Sequence, residues 1–171
     1  MFKENYMDII RECSEGLPQF SDGRIDFSDA SIIPVVNVIV AHDDEVLLLK
    51  RSSKVLTNKN KWDCIGGYLD EIVSPEEKAL SEAREEIGIS KGIVRAVFTG
   101  EPFNIIERHP QRRWIVFPVL LELSEKPKIV LDEEHVKHAW VKRDKIDGFA
   151  QAKKVRNVLF ACTIAGKGDK A

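Results

Sequence analysis

Residues 66–89, GGYLDEIVSPEEKALSEAREEIGI, set three glutamates on one face of a short helix. Ser74 is a natural N-cap, Pro75 suits the first helical position, and Glu77 completes a capping box. Leu80, Ala83 and Ile87 recur at helical spacing as the buried stripe, and Gly88 is a good terminator. At about 100° per residue, Glu85 and Glu86 fall within about 60° and 40° of Glu82. Such a cluster is unfavourable by itself. Each like-charge pairing costs about 0.2–0.5 kcal/mol, and the macrodipole disfavours acids in the last turn. A hard divalent cation such as Mg²⁺ reverses both penalties, because it takes carboxylate oxygens and keeps waters for a substrate. The bland alternative is a solvated acidic face.

The residues before the helix favour the first reading. The stretch resembles the signature of the Nudix hydrolases, G-x5-E-x7-R-E-U-x-E-E-x-G-U, with U aliphatic. Without gaps, Gly67 takes the first glycine, and Glu82, Glu85, Glu86, Gly88 and Ile89 take the second half, with Ala83 in the aliphatic slot. Two positions depart: Val73 stands for the first glutamate and Ser81 for the arginine. In the family that arginine pairs with glutamates of the box. Losing both partners together is gentler than stranding one buried charge, which costs about 3–5 kcal/mol. Glu71 is a candidate to cover for Val73.

The resemblance extends over about Pro34–Val155. Val35–Ala41 and Glu45–Arg51 read as strands joined at His42-Asp43-Asp44. Trp62 and Gly66-Gly67 resemble the family's W-x-x-P-G-G approach, with Ile65 in place of proline. Glu133-Glu134-His135 and Ala139-Trp140-Val141 look like its E-x-x-x-x-W-V element. The fold implied is an α/β/α sandwich with a mixed sheet between helices. The chemistry implied is metal-assisted attack of water on a diphosphate, with Mg²⁺ or Mn²⁺ as cofactor. Glu82, Glu85 and Glu86 and the Gly67 carbonyl are the metal ligands so expected, and Glu86, Glu85 and Glu134 the catalytic candidates. Arg51, Trp62, Gly66 and Arg113 are candidates for the substrate: guanidinium forks match phosphate oxygens, tryptophan stacks on a base, and glycine admits close approach. The alternatives are solvated charge for the arginines and Glu133/Glu134, core packing for Trp62, and a tight turn for the glycines. His109, His135 and His138 show no zinc spacing and read as ordinary surface or edge residues.

Composition bounds the rest. At 171 residues the chain suits one domain with a substantial core. A net charge of −2 gives no reason to expect nucleic acid or an anionic membrane as partner. Three widely spaced cysteines, Cys13, Cys64 and Cys162, suit free thiols in a reducing cytoplasm. No apolar run approaches membrane-spanning length. Residues 1–30 read as an N-terminal extension opening on a helix (Phe2–Cys13), with a homodimer contact among its possible uses, 31–165 as the Nudix-like domain, and 166–171 as a frayed tail. Further strands are expected at Arg24–Phe27, Ile93–Thr99, Arg113–Leu123, Lys128–Leu131 and His138–Val141, a loop at Glu101–Gln111, and a helix at Ala150–Ala165.

Three functions fit these features. The first is a pyrophosphohydrolase acting on a nucleoside diphosphate linked to another moiety. The second is a non-catalytic nucleotide-binding module of the same fold. The third is a prenyl-diphosphate isomerase, whose catalytic cysteine belongs where Gly66 stands, two residues after Cys64.

Overall fold

The computed structural model describes residues 4–55, 58–108, 111–149 and 151–168. Among these, three helices flank a mixed sheet in the order α1 (Glu4–Ser14), β1 (Ile32–His42), β2 (Glu45–Arg51), β3 (Trp62–Asp63), β4 (Ile65–Tyr68), α2 (Pro75–Ile87), β5 (Val94–Thr99), β6 (Phe103–Arg108), β7 (Gln111–Leu123), β8 (His135–Lys142) and α3 (Ala152–Gly168). Parallel pairing of β1 with β7 forms the spine, from Ile32↔Arg113 to Ala41↔Glu122. The other ladders are antiparallel: β4 and β2 on β1, β8 and β3 on β2, and β5 and β6 on β7. This is the expected α/β/α sandwich.

The alternation of strand side chains divides the core into two layers. Val36, Val38, Val40, Leu47, Leu49, Ile65, Val119 and Leu121 pack beneath α2 through Ala79, Ala83 and Ile87. Ile39, Val46, Leu48, Cys64, Leu120 and Val141 pack beneath α3 through Val155, Val158 and Cys162. The α1 helix adds Tyr6 and Ile10 against Leu69 and Phe117, and the Tyr6 hydroxyl donates to the Gly100 carbonyl at 3.3 Å.

Three expectations need correction. Glu101–Gln111 is no loop: Phe103–Arg108 forms β6, an exposed edge strand, because Pro102 lies outside the pairing and leaves its donors intact. Lys128–Leu131 is no strand. Its backbone runs past the end of α2, where the Val130 and Asp132 N–H groups donate to the carbonyls of Ile87 (3.1 Å) and Glu86 (3.2 Å). Those helix-end carbonyls need partners, and this segment satisfies them in place of a sheet ladder. Arg24–Phe27 contributes only a bridge, Gln19↔Ile25. The last helix runs to Gly168, past the expected end at Ala165; side chains beyond Thr163 and residues 169–171 lie outside the description, as does His109.

Candidate functional site

The local signals of the opening stretch build α2. Ser74 Oγ accepts from the Glu77 N–H at 3.2 Å, and the Glu77 carboxylate accepts from the Ser74 N–H at 3.1 Å. Gly88 closes the helix at φ 72°, with its N–H on the Arg84 carbonyl. The buried stripe is Ala79, Ala83 and Ile87, with Leu80 at its margin. A fourth buried member is a glutamate, Glu86.

The three glutamates have three different environments. Glu85 is exposed and accepts from Ser81 Oγ at 2.7 Å, so the residue standing in the arginine position engages a box glutamate itself. Glu82 lies across Gly67, where an added Cβ would fall 2.2 Å from its Oε1. Any larger residue at position 67 would push the Glu82 carboxylate aside. Lys78 holds Glu82, with Nζ 3.0 Å from Glu82 Oε1 and 3.0 Å from Asp70 Oδ1. Arg24 reaches the other oxygen of Asp70 at 3.3 Å. Lys78 thus bridges Asp70 and Glu82, and Glu71 is exposed. Burial raises the Glu82 carboxyl above its ordinary value, against the pull of Lys78.

Glu86 is the most perturbed acid of the group. Burial pushes its carboxyl up to about 9, the charges of Glu82, Asp132 and Glu134 add to the shift, and the Gly66 N–H opposes it. Its Oε2 is buried without a hydrogen-bond partner among the described residues. Facing it at 3.7 Å is His135 Nε2, equally unpartnered, on a side chain that is 0% exposed. His135 Nδ1 lies 2.9 Å from Asp132 Oδ1. The expectation of a surface or edge histidine is overturned for His135; His138 is exposed. The cause is tertiary: the segment that caps α2 delivers Asp132, Glu134 and His135 to the end of the helix.

The other candidates divide. Arg51 and Glu134 come together, Nη2 to Oε2 at 3.4 Å, because β2 ends beside the start of β8 with Arg51 opposite His135. Gly66 faces Asn37, whose Oδ1 would lie 2.9 Å from an added Cβ. Trp62 packs edge-on against Phe149 at 5.5 Å under α3. Arg113 is exposed and lines a cleft of about 630 Å³ with Tyr6, Cys13 and Glu101, whose walls include none of the α2 glutamates. Beneath β3, Lys154 Nζ pairs with buried Asp63 at 2.8 Å, and Gln151 donates to Asn58 at 2.9 Å. That network went unread in the sequence, since its members are far apart in the chain and carry no motif.

Among the described residues no three His, Cys, Asp or Glu side chains stand close enough to form a ready-made ion cage. The chemistry of the set nevertheless fits a divalent cation: a buried carboxylate with a free oxygen, and three further acids whose charges bear on it. No helix among the described residues is long and apolar enough to cross a membrane.

Comparison with known proteins agrees with this geometry. The family model described as the NUDIX domain matches residues 32–160. Among solved structures, the chain is similar to a MutT protein from Methanosarcina mazei Go1, at 24% identity over 82% of this chain and 96% of that one, with a TM-score of 0.61. It is also similar to an Ap4A hydrolase from C. elegans, at 18% identity, 78% and 98% coverage and a TM-score of 0.59. A bifunctional NMN adenylyltransferase/ADP ribose pyrophosphatase from Francisella tularensis gives 17% identity, 92% of this chain, 46% of that one and a TM-score of 0.60. No curated protein sequence is a significant match. At these identities the structural neighbours speak for the fold, and the domain match, spanning most of the sequence, supports the conclusion that the chain belongs to the Nudix family.

Proposed function

We propose that this chain is a metal-dependent pyrophosphohydrolase, cleaving the diphosphate of a nucleoside diphosphate linked to another moiety. One observation carries the reading: Glu86 is a buried acid with a free oxygen, flanked by Glu82, Asp132 and Glu134. Burying a carboxylate among like charges is costly unless something cationic is bound there in the working state. Glu86 and Glu82, with Glu85 after rotation away from Ser81 and the Gly67 carbonyl, would hold Mg²⁺ or Mn²⁺. Bound there, such an ion neutralises the diphosphate oxygens and makes water a better nucleophile. Lys78 and Asp70 fix the direction of Glu82. Arg51, 3.4 Å from Glu134, would take a substrate phosphate, and Glu134 would accept a proton when Arg51 turns to substrate.

The names of the structural neighbours, MutT, Ap4A hydrolase and ADP ribose pyrophosphatase, define the substrate panel to try. Chromatographic detection of the two products of diphosphate cleavage (a nucleotide and its partner phosphate ester, nucleotide or pyrophosphate) from nucleoside triphosphates, nucleotide sugars, ADP-ribose and dinucleoside polyphosphates, with Mg²⁺ or Mn²⁺ and with chelator, tests the reading. Turnover that chelator abolishes supports it; micromolar binding with no turnover of any substrate contradicts it and favours the binding module, a reading to which the outward turn of Glu85 lends some weight. The isomerase reading loses ground on Cys64, which is 3% exposed beneath α3 with its thiol pushed by burial up to about 12, far from a reactive thiolate.

A further inference from the structure

The contact between Glu86 and His135 is hard to explain as a satisfied core. Both side chains are more than nine-tenths buried, at 7% and 0% exposure. His135 Nδ1 lies 2.9 Å from Asp132 Oδ1, so the ring nitrogen that faces Glu86 Oε2 is Nε2. These two buried polar atoms stand 3.7 Å apart, and neither has a hydrogen-bond partner among the described residues. The gap is too long for an N–H···O or O–H···N bond. A divalent cation would satisfy both atoms, with the Glu86 carboxylate and the His135 imidazole as the residues that hold it. The Asp132–His135 pair also has the arrangement that orients metal-ligating histidines, in which a carboxylate fixes the tautomer and raises the basicity of the free nitrogen.

We propose that His135 Nε2 and Glu86 Oε2 are joint ligands of one divalent ion, giving this site a nitrogen donor beside its carboxylates. The inference rests on the metal-dependent reading above and narrows it. An imidazole ligand tilts selectivity away from Mg²⁺, which prefers oxygen, toward first-row transition ions such as Mn²⁺ and Co²⁺. Asp132 is a positioning residue in this arrangement, acting through the histidine ring.

The test is pulsed EPR on untagged protein loaded with Mn²⁺, read for ¹⁴N modulation from a coordinated imidazole, with calorimetry of Mn²⁺, Co²⁺ and Mg²⁺ binding alongside. Wild type is expected to show the ¹⁴N signal. His135→Gln is expected to lose it and to bind Co²⁺ about tenfold or more weakly, with a smaller change for Mg²⁺. Should that variant fail to fold, the triple variant His42→Gln, His109→Gln, His138→Gln leaves His135 as the only histidine of the four in the chain and must retain the signal. Bound Mn²⁺ with no ¹⁴N coupling, or loss of coupling in the triple variant, overturns the role of His135 and leaves an all-oxygen hydrolase site standing. Absence of any Mn²⁺ binding removes both readings together.

Discussion

Lys78 is the residue on which the variant signature turns. Its ammonium is 3.0 Å from both Asp70 and Glu82, and its side chain is 11% exposed. Lys78→Met should cost about 2–3 kcal/mol in urea unfolding, because two largely buried carboxylates lose their shared cation. Lys78→Arg should restore most of it, and Asp70→Asn combined with Lys78→Met should cost less than the sum of the single changes. Glu86 gives a pH signature. Its carboxyl stands near 9 in the folded protein against an ordinary 4.5, so folded protein keeps a proton that the unfolded chain releases between those values. The contribution of Glu86 to the stability of metal-free protein is therefore full below about pH 4.5 and is lost as pH rises through the window toward 9. Unfolding midpoints in chelator from pH 6 to 9 should show the fall, and Glu86→Gln should remove most of it. The charge cluster was legible because Glu82, Glu85 and Glu86 lie within one helical turn or so. The Asp70–Lys78 pair and His135 were not, since the first depends on how a loop folds back on α2 and the second on which segment caps its end.

The elements divide along the same line. The start and stop of α2 were readable from Ser74, Pro75, Glu77 and Gly88, because capping is local chemistry. Ser74→Ala should cost about 1 kcal/mol of thermal or urea stability, since the Glu77 N–H loses the Ser74 Oγ acceptor while the backbone N–H at position 74 keeps the Glu77 carboxylate. Gly88→Ala places a Cβ at φ 72° and 3.2 Å from Val130 Cβ, so it should cost at least about 1 kcal/mol and disturb the segment that carries Asp132. The strands of the spine announced themselves as apolar runs, Val35–Ala41 and Val116–Leu121. By contrast β6 is exposed on nearly every side chain and hid behind its flanking prolines. Lys128–Leu131 carries a short apolar run, Ile129-Val130-Leu131, that reads as a strand, yet the Val130 N–H goes to the end of a helix. Local pattern does not reveal which partner a backbone finds.

At the scale of the molecule, two helix-covered layers leave one cysteine accessible and two sealed. Cys13 is partly exposed, whereas Cys64 and Cys162 are buried, with thiols raised by burial to about 12. A thiol titration with a chromogenic disulfide should count one rapid equivalent in native protein and three in denaturant, matching the three cysteines of the sequence. Three rapid equivalents without denaturant would contradict the packing of α3 on the sheet. The same packing presents the end of α2, the start of β8 and the exit of β2 together, and that junction is where the account places chemistry. Its most direct test is kcat for the best substrate of the panel with saturating Mg²⁺, comparing wild type with Glu86→Gln. The account predicts a fall of about 10²–10³-fold or more in a variant that folds normally. Unchanged turnover in folded Glu86→Gln would contradict it.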